Sequence, residues 1–235
     1  FATAAELAEQ LDLKSCVPDV EPGWRAEDEV GRDAPESIGG IVWSLCKSNA
    51  PAPGDPLWAV RLVKADKAWT KHGTRGEGIL IGQPDTGVAD HRELDEAIEP
   101  NAGTDVILGS GPPVDPLTPD ISSRGHGTTT LSALASRQLG RIAGAAPGAR
   151  VVPVRCINSV VITSGAAVAA AIDHARVKSC DVVTMSLGGP VQFRDLARAI
   201  SRAVDNGMIV LAAAGNCVGS VVYPAFDQNV IAVAA

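Results

Sequence analysis

The sequence lacks any apolar run that could cross a membrane. A transmembrane helix needs about 20 consecutive apolar residues, and the hydrophobic stretches here are short and interrupted by glycine or polar residues. The first residues, FATAAELAEQL, also lack the basic and apolar regions of a secretory signal peptide. We therefore expect no membrane partner, and the start at Phe1 rather than Met suggests a processed or shortened chain.

Cysteine is scarce and follows no metal-binding pattern. The five cysteines form no CxxC pair and have no histidine at a suitable spacing, which argues against a zinc site. They are also too few for a disulfide scaffold, and an odd number leaves at least one thiol unpaired. The cysteines therefore do not indicate whether the protein works in an oxidising or a reducing compartment. The five are Cys16, Cys46, Cys156, Cys180 and Cys217.

Positive charge is in deficit. Lys and Arg total 20 against 27 Asp and Glu, which gives a net charge of -7 and a pI near 5.1. No cluster of basic residues stands out against this balance, and a negatively charged protein repels a phosphate backbone. We therefore expect no nucleic-acid partner.

The chain has enough apolar residues for a sizeable core. Hydrophobic residues make up 46% of its 235 positions, which suits one large α/β domain with an appendage. Residues 1–55 are rich in turn formers and lead into the proline-rich stretch NAPAPGDP. We interpret residues 1–55 as an N-terminal extension and linker without activity of its own, and residues 56–235 as the main domain.

Beyond residue 56, short apolar runs typical of strands alternate with helical patterns, as in βαβ units. Apolar residues at helical spacing indicate helices over 165–177 and 193–204. Strands that are apolar at nearly every position are covered on both faces. The sequence thus predicts a three-layer α/β fold, with a mostly parallel sheet between helices. The predicted strands are 79–84, 151–155, 181–187, 208–213 and 230–235.

Three polar side chains lie where the ends of these strands are expected to gather. Asp85 follows the first strand within DTG, Asn216 follows a later strand within AAAGN, and His126 precedes a helical run within GHGT. Acyl transfer needs a histidine base, a buried carboxylate that orients it and an amide donor for the oxyanion. Each motif alone is a common turn or cap, so the prediction of chemistry depends on all three converging.

In this order the motifs resemble those of the subtilisin-like serine protease family. Matching segments cover residues 57–235, nearly the whole main domain. The resemblance implies the subtilisin-like fold, with Asp85 holding the imidazole of His126, His126 as the base and Asn216 as the oxyanion donor. The matching motifs are QPDTGV (83–88), GHGT (125–128), MSLGG (185–189) and AAGN (213–216).

The resemblance also implies a peptide-binding cleft. Ser186, Leu187 and Gly188 would pair with an extended substrate as an added strand. Ala214 and Gly215 would line the pocket for the residue before the scissile bond. The implied partner is a peptide or protein substrate, and the implied location is outside the cell or in the cell envelope.

The family's nucleophile is missing from these residues. The family carries it as the serine of Gly-Thr-Ser, and no such motif occurs here: Gly103-Thr104 continues into Asp105, and Gly127-Thr128 continues into Thr129. Ser164 is interpreted as the N-cap of the helix over 165–177. Loss of the serine costs about 10⁶ in the turnover of a subtilisin. We therefore expect a C-terminally incomplete endopeptidase that is inactive on its own.

The implied chemistry requires no cofactor, and structural calcium, which is common in the family, stays open. Glu93 is the position that matches a family calcium ligand, and we expect it to be a solvated carboxylate. Cys217 is expected to be buried or disulfide-bonded, since nothing adjacent would activate its thiol.

Two functions of other classes compete with a protease. A non-catalytic protein could keep the cleft to hold an extended peptide, and it would bind peptides without turnover. A dinucleotide-binding domain is disfavoured, because its glycines must follow the first strand, whereas Gly73, Gly76 and Gly78 precede it. The sequence indicates neither the preferred substrate residue nor the oligomeric state.

Overall fold

The computed structural model describes residues 55–118, 123–140, 142–215 and 220–234. The predicted extension over 1–55 therefore lies outside the described residues except for Asp55, and so do Asn216 and Cys217. In chain order the elements are α1 Trp58–Leu62, α2 Ala65–His72, β1 Leu80–Asp85, β2 Thr104–Asp105, α3 His126–Ala135, β3 Arg150–Arg155, α4 Ala166–Val177, β4 Val182–Met185, α5 Arg194–Asp205, β5 Ile209–Ala213 and β6 Ile231–Val233.

The described strands form one parallel sheet in the order β2-β3-β1-β4-β5-β6. β1 is hydrogen-bonded to β3 on one side and to β4 on the other. Because the strands run in the same direction, their carboxyl ends meet at one edge of the sheet. The predicted parallel sheet is confirmed.

Alternating side chains of β3 enter two separate cores. Val152 and Val154 pack with Ile172 of α4 in one core, whereas Val151 packs with Leu131 of α3 in the other. All five side chains are fully buried. Helices therefore cover both faces of the sheet, and the predicted three-layer α/β fold is confirmed.

A glycine allows α4 to pack closely against β1. A Cβ at Gly82 would lie 2.5 Å from the Cβ of Ala175 in α4, so a side chain there would push the helix away from the sheet. α5 packs beside α4 and fully buries Leu196 and Ile200. This packing holds β1 in place up to its last residue, Asp85.

The strand predicted over 181–187 ends earlier, at Met185. Beyond that point the chain leaves the sheet, and Gly188 forms backbone hydrogen bonds with Val160 and Ile162 instead of with β5. Sequence reasoning extended the strand to Leu187, which is apolar. The early end opens a loop at the carboxyl edge.

The helix cap expected at Ser164 lies one residue later. Gly165 is the N-cap of α4, and the Ser164 hydroxyl accepts a bond of 3.4 Å from the amide of Ala166. Ser164 therefore serves the start of the helix from just outside it, and the expectation was wrong by one position.

The described helices are short. α4 and α5 have 12 residues each, and in the part of the chain with described coordinates no helix is long and apolar enough to span a bilayer. The short elements α1, α2 and β2 were not predicted, because two to eight residues give little periodic pattern.

Candidate active site

Asp85 and His126 meet at the carboxyl edge of the sheet. Asp85 is the last residue of β1, and His126 is the first residue of α3. The chain enters α3 through Gly125, the helix N-cap, which has a φ of 74°. Glycine adopts this left-handed conformation at little cost, and the turn brings His126 to the end of β1.

The carboxylate of Asp85 is buried and accepts three hydrogen bonds. His126 Nδ1 donates to Oδ1 at 2.8 Å, and the amide of Thr86 donates to the same oxygen at 2.7 Å. The hydroxyl of Thr130 donates to Oδ2 at 3.0 Å. Asp85 is only 2% exposed, so these bonds fix its orientation. Since Nδ1 donates to the carboxylate, Nε2 is the ring nitrogen that can accept a proton.

The surroundings raise the pKa of His126 above its ordinary value. Burial of the ring opposes protonation, but the hydrogen bond with Asp85 and the negative charges of Asp85 and Asp115 outweigh it. The side chain of His126 keeps 31% exposure, so a reacting group can reach it. A ring in this setting can act as a base and hold the proton that it takes up.

Buried polar side chains support the pair from within the sheet. Gln83, in β1, is 4% exposed, and its amide nitrogen donates to Thr130 Oγ1 at 2.7 Å and to the carbonyl of Gly127 at 3.0 Å. Thr130 in turn donates to Asp85. Sequence reasoning gave Gln83 and Thr130 no role, although a glutamine in an otherwise apolar strand was a signal for one.

The glycine after His126 is required by close packing. A Cβ at Gly127 would overlap the carbonyl oxygen of Gly87 and lie 3.2 Å from the Cβ of Asp85. The amide of Gly127 donates to the hydroxyl of Thr86 at 3.0 Å. α3 therefore begins directly against the end of β1.

The predicted substrate-pairing residues follow β4 at the same edge. The amide of Gly188 donates to Val160 at 2.9 Å, and its carbonyl accepts from Ile162 at 3.0 Å. The backbone of Gly188 is therefore already paired within the chain. The pairing of Ser186, Leu187 and Gly188 with a substrate stays a prediction.

A small cavity of about 60 Å³ lies at the ends of β4 and β5. Of the residues predicted to line a substrate pocket, Gly215 contributes to its wall, and so does the neighbouring Ala213; the role of Ala214 stays a prediction. Sequence reasoning missed the aliphatic part of the wall, since those valines lie far from the motifs. The lining residues are Val160, Val161, Ser186, Leu187, Gly188, Ala213, Gly215 and Val222.

The cavity is connected to the turn that carries His126. The amide of Val160 donates to Ser123 Oγ at 3.1 Å, and the amide of His126 donates to the carbonyl of Ser123 at 3.1 Å. Ser123 therefore joins a wall of the cavity to the turn.

The amide donor predicted for the oxyanion, Asn216, lies outside the described residues. The chain leads to it through Ala214, whose amide donates to Val233 at 2.8 Å, and through Gly215, which has a φ of 114°. The role of Asn216 therefore stays a prediction, as does the state of Cys217.

Glu93 is buried, so the expectation of a solvated carboxylate was wrong. It is 4% exposed, and it accepts hydrogen bonds from Ser136 Oγ at 3.0 Å and from the amide of Leu139 at 2.9 Å. Burial opposes its ionisation, but these hydrogen bonds outweigh burial and lower the pKa of Glu93. Its donors come from the turn after α3. Among the described side chains, no group of three or more His, Cys, Asp or Glu is placed to hold a metal ion.

Cys156 and Cys180 are free and buried. Burial, followed by the charges of Asp85 and Asp105, raises the pKa of Cys156 well above its ordinary value. Burial and the charge of Asp181 raise the pKa of Cys180 to about 12. A thiol that stays protonated is a poor nucleophile, so neither cysteine is suited to take the place of the missing Gly-Thr-Ser serine.

Comparison with known families agrees with this geometry. A model of the subtilase family matches residues 76–235. The matched region includes Asp85, His126 and the residues around the cavity. It leaves out α1, α2 and the residues before them.

Individual relatives match the same part of the chain. Subtilisin DY of Bacillus licheniformis is 30% identical over an alignment of 185 residues that covers 76% of this chain and 63% of the relative. Thermitase of Thermoactinomyces vulgaris is 33% identical over an alignment of 191 residues that covers 77% of this chain and 64% of the relative. The major intracellular serine protease of Bacillus subtilis is 31% identical over an alignment of 186 residues that covers 74% of this chain and 56% of the relative. The chain therefore spans less than two thirds of these relatives, and it belongs to the subtilase family.

Proposed function

We propose that this chain carries the acid–base pair and the cleft of a subtilisin-like serine endopeptidase. The observation that supports it best is the 2.8 Å bond between His126 Nδ1 and Asp85 Oδ1, at the edge that also holds the cavity. Residues 56–235 are then the catalytic domain without its nucleophile-bearing part. Residues 1–55 are an extension to that domain.

The proposed mechanism is acyl transfer. His126 Nε2 removes the proton of a serine hydroxyl while the serine oxygen attacks the substrate carbonyl, and it later gives this proton to the leaving amine. Asp85 orients the ring and stabilises the imidazolium between these two steps. Asn216 donates to the oxyanion, a contribution of about 10²–10³ in turnover for such a donor.

The serine itself comes, in this proposal, from a part of the natural protein that these 235 residues do not include. They contain no Gly-Thr-Ser motif. Because the nucleophile is worth about 10⁶ in turnover, we expect no useful peptide hydrolysis from them alone.

The proposed substrate has a small aliphatic side chain before the scissile bond. The cavity measures about 60 Å³, whereas an apolar cavity of about 150 Å³ holds a benzene ring. Its valines, Val160, Val161 and Val222, offer contact to aliphatic carbon and no partner for a charge. Volume therefore disfavours aromatic side chains, and the cost of burying an unpaired charge disfavours charged ones.

We also propose a location outside the cell or in the cell envelope, on family resemblance alone. The related major intracellular serine protease is named for the opposite compartment. Fractionation of the native source tests this proposal, and recovery of the protein only from the cytosol would contradict it.

A fluorophosphonate probe tests the proposed enzyme, because it reacts with an activated serine. The longest natural form of the protein should be labelled at a serine, and the 235-residue chain should not. The matched variant His126→Ala should lose labelling of the long form, since the serine then lacks its base. Labelling that survives in His126→Ala would contradict the proposed mechanism.

A peptide-binding protein without turnover is the second candidate, and it is favoured by a cavity at the ends of β4 and β5 in residues that carry no Gly-Thr-Ser motif. It predicts no labelling of any natural form. It also predicts retained affinity for extended peptides, measured by calorimetry. Labelling of the long form would exclude it.

A further inference from the structure

Asp115 is a second buried carboxylate beside the catalytic turn, and the proposed mechanism gives it no role. It lies between β2 and α3 and is 3% exposed. Its Oδ2 accepts from the hydroxyl of Thr86 and the amide of Gly125, both at 2.7 Å, and its Oδ1 accepts from the amide of Leu117 at 3.0 Å. All three partners are donors, which is what a buried carboxylate needs.

These bonds hold the backbone on both sides of His126. Gly125, which precedes it, is bonded to Asp115 directly. Gly127, which follows it, donates from its amide to the hydroxyl of Thr86 at 3.0 Å, and Thr86 donates to Asp115. One carboxylate therefore anchors the peptide units before and after the catalytic imidazole.

The start of α3 depends on this anchor. The N-cap of α3 is Gly125, and the helix has no side-chain capping bond at that position. Asp115 meets part of this need, because its carboxylate accepts from the Gly125 amide, and a negative charge near a helix N-terminus is favourable. Asp115 thus stabilises the turn that presents His126.

The charge of Asp115 also acts on the ring. Among the described groups, Asp85 on β1 and Asp115 in the loop are the charges that favour protonation of His126. The thiol of Cys156, just after β3, lies within the field of Asp85, and its raised pKa keeps it neutral. The imidazolium is therefore favoured by two carboxylates.

We infer that Asp115 is a positioning residue for the proposed reaction: it fixes the turn that presents His126 to Asp85, and its negative charge stabilises the imidazolium. The inference rests on the proposed function. The proton moves from the serine oxygen to His126 Nε2 and then to the leaving amine, and Asp115 neither gains nor loses one.

An NMR titration of the four histidine rings tests this inference in the wild type and in Asp115→Asn. We expect the pKa of His126 to fall in the variant, because a neutral amide replaces one of the two charges. The surface control Asp90→Asn should leave His126 unchanged, and Asp115→Glu should restore part of its pKa.

Activity supplies a second readout in any natural form that carries the serine. There, Asp115→Asn should lower kcat by about 10²-fold with little change in KM, since a misplaced catalytic group costs about that much. An unchanged His126 titration in a folded Asp115→Asn variant overturns the inference, and the protease proposal is then unaffected.

A second variant keeps the test decisive if Asp115→Asn does not fold. Thr86→Val removes the hydroxyl between Asp115 and Gly127 and preserves the branched shape of the side chain. The amide of Gly127 then loses its anchor and His126 sits less firmly against Asp85, which should shift the His126 titration downward. An unchanged titration overturns the inference. Failure of the proposed function looks different, because no natural form would then react with the fluorophosphonate while the His126 shifts persist.

Discussion

Val222 forms one wall of the small cavity at the ends of β4 and β5. It is 5% exposed, and its Cγ2 lies 2.6 Å from the point where a Cβ on Gly188 would be. At the scale of the residue, we propose that Val222 limits the size of a side chain that can enter the cavity.

Replacing Val222 with alanine should widen the cavity. For Val222→Ala we expect the affinity for a peptide ending in leucine to rise by about tenfold relative to one ending in alanine, because each buried methylene is worth about 1–3 kcal/mol. Calorimetric Kd values of the two peptides measure this ratio without needing turnover.

The matched control for this change is Val191→Ala. Val191 is 55% exposed and does not line the cavity, so its replacement should leave the ratio unchanged. An unchanged ratio in Val222→Ala would show that Val222 does not set the size limit.

The sequence carried clear signals for some site residues and none for others. Asp85 and His126 stand in short glycine-containing motifs, because the chain must turn and pack closely at both positions. Asp115 has no such motif, since its role depends on two amides and a hydroxyl brought together by folding. Val222 was unpredictable for the same reason.

At the scale of the element, a buried ion pair fastens the edge strand β2 to β3. Arg155 Nη1 lies 2.6 Å from Asp105 Oδ2, and the two side chains are 8% and 3% exposed. Asp105 Oδ1 also accepts from the amides of Ile107 and Leu108. β2 has only two residues, so this pair is a main part of its attachment.

Arg155→Met should lower the free energy of unfolding by about 3–5 kcal/mol, because it leaves the Asp105 carboxylate buried and unpaired. Urea denaturation measures the loss. The double variant Arg155→Met with Asp105→Asn should recover much of it, since a neutral amide oxygen can still accept from Ile107 and Leu108.

Arg150→Met on the same strand is the control. The Arg150 side chain is 48% exposed, and its Nε lies 3.5 Å from Glu99 Oε2. An exposed ion pair contributes at most about 1 kcal/mol to the free energy of unfolding. Equal losses for Arg150→Met and Arg155→Met would show that burial of the pair does not matter.

The longer elements could be predicted because their periodicity is strong. The strand predicted over 151–155 and the helix predicted over 193–204 each begin and end within one residue of β3 and α5 in the structure. β4 was predicted too long, because the apolar Leu187 is buried in a loop instead of in the sheet. Two-residue β2 depends on a distant partner strand, which no local pattern records.

At the scale of the whole molecule, His126 makes stability depend on pH. Its folded pKa lies above the unfolded value of about 6.5. The stability that comes from its protonated form is fully present below about pH 6.5 and is lost as the pH rises through the folded pKa. As the pH rises from about 6.5 through the folded pKa of His126, we expect the free energy of unfolding of the wild type to fall relative to that of the His126→Gln variant.

Urea titrations between about pH 5.5 and about pH 8.5 measure this difference. The other histidines are common to both proteins, so their contributions cancel. Parallel curves for wild type and His126→Gln would contradict the raised pKa of His126.

The inner position of β1 also decides where a reporter group can be attached without disturbing Asp85. One strand separates it from the rim at β2, and two separate it from the rim at β6. In the described sheet, a fluorophore or affinity tag beside β6 meets solvent, as the half-exposed Val233 does, and lies three strand positions from Asp85. This edge is therefore the place to attach reporters for the binding measurements described above.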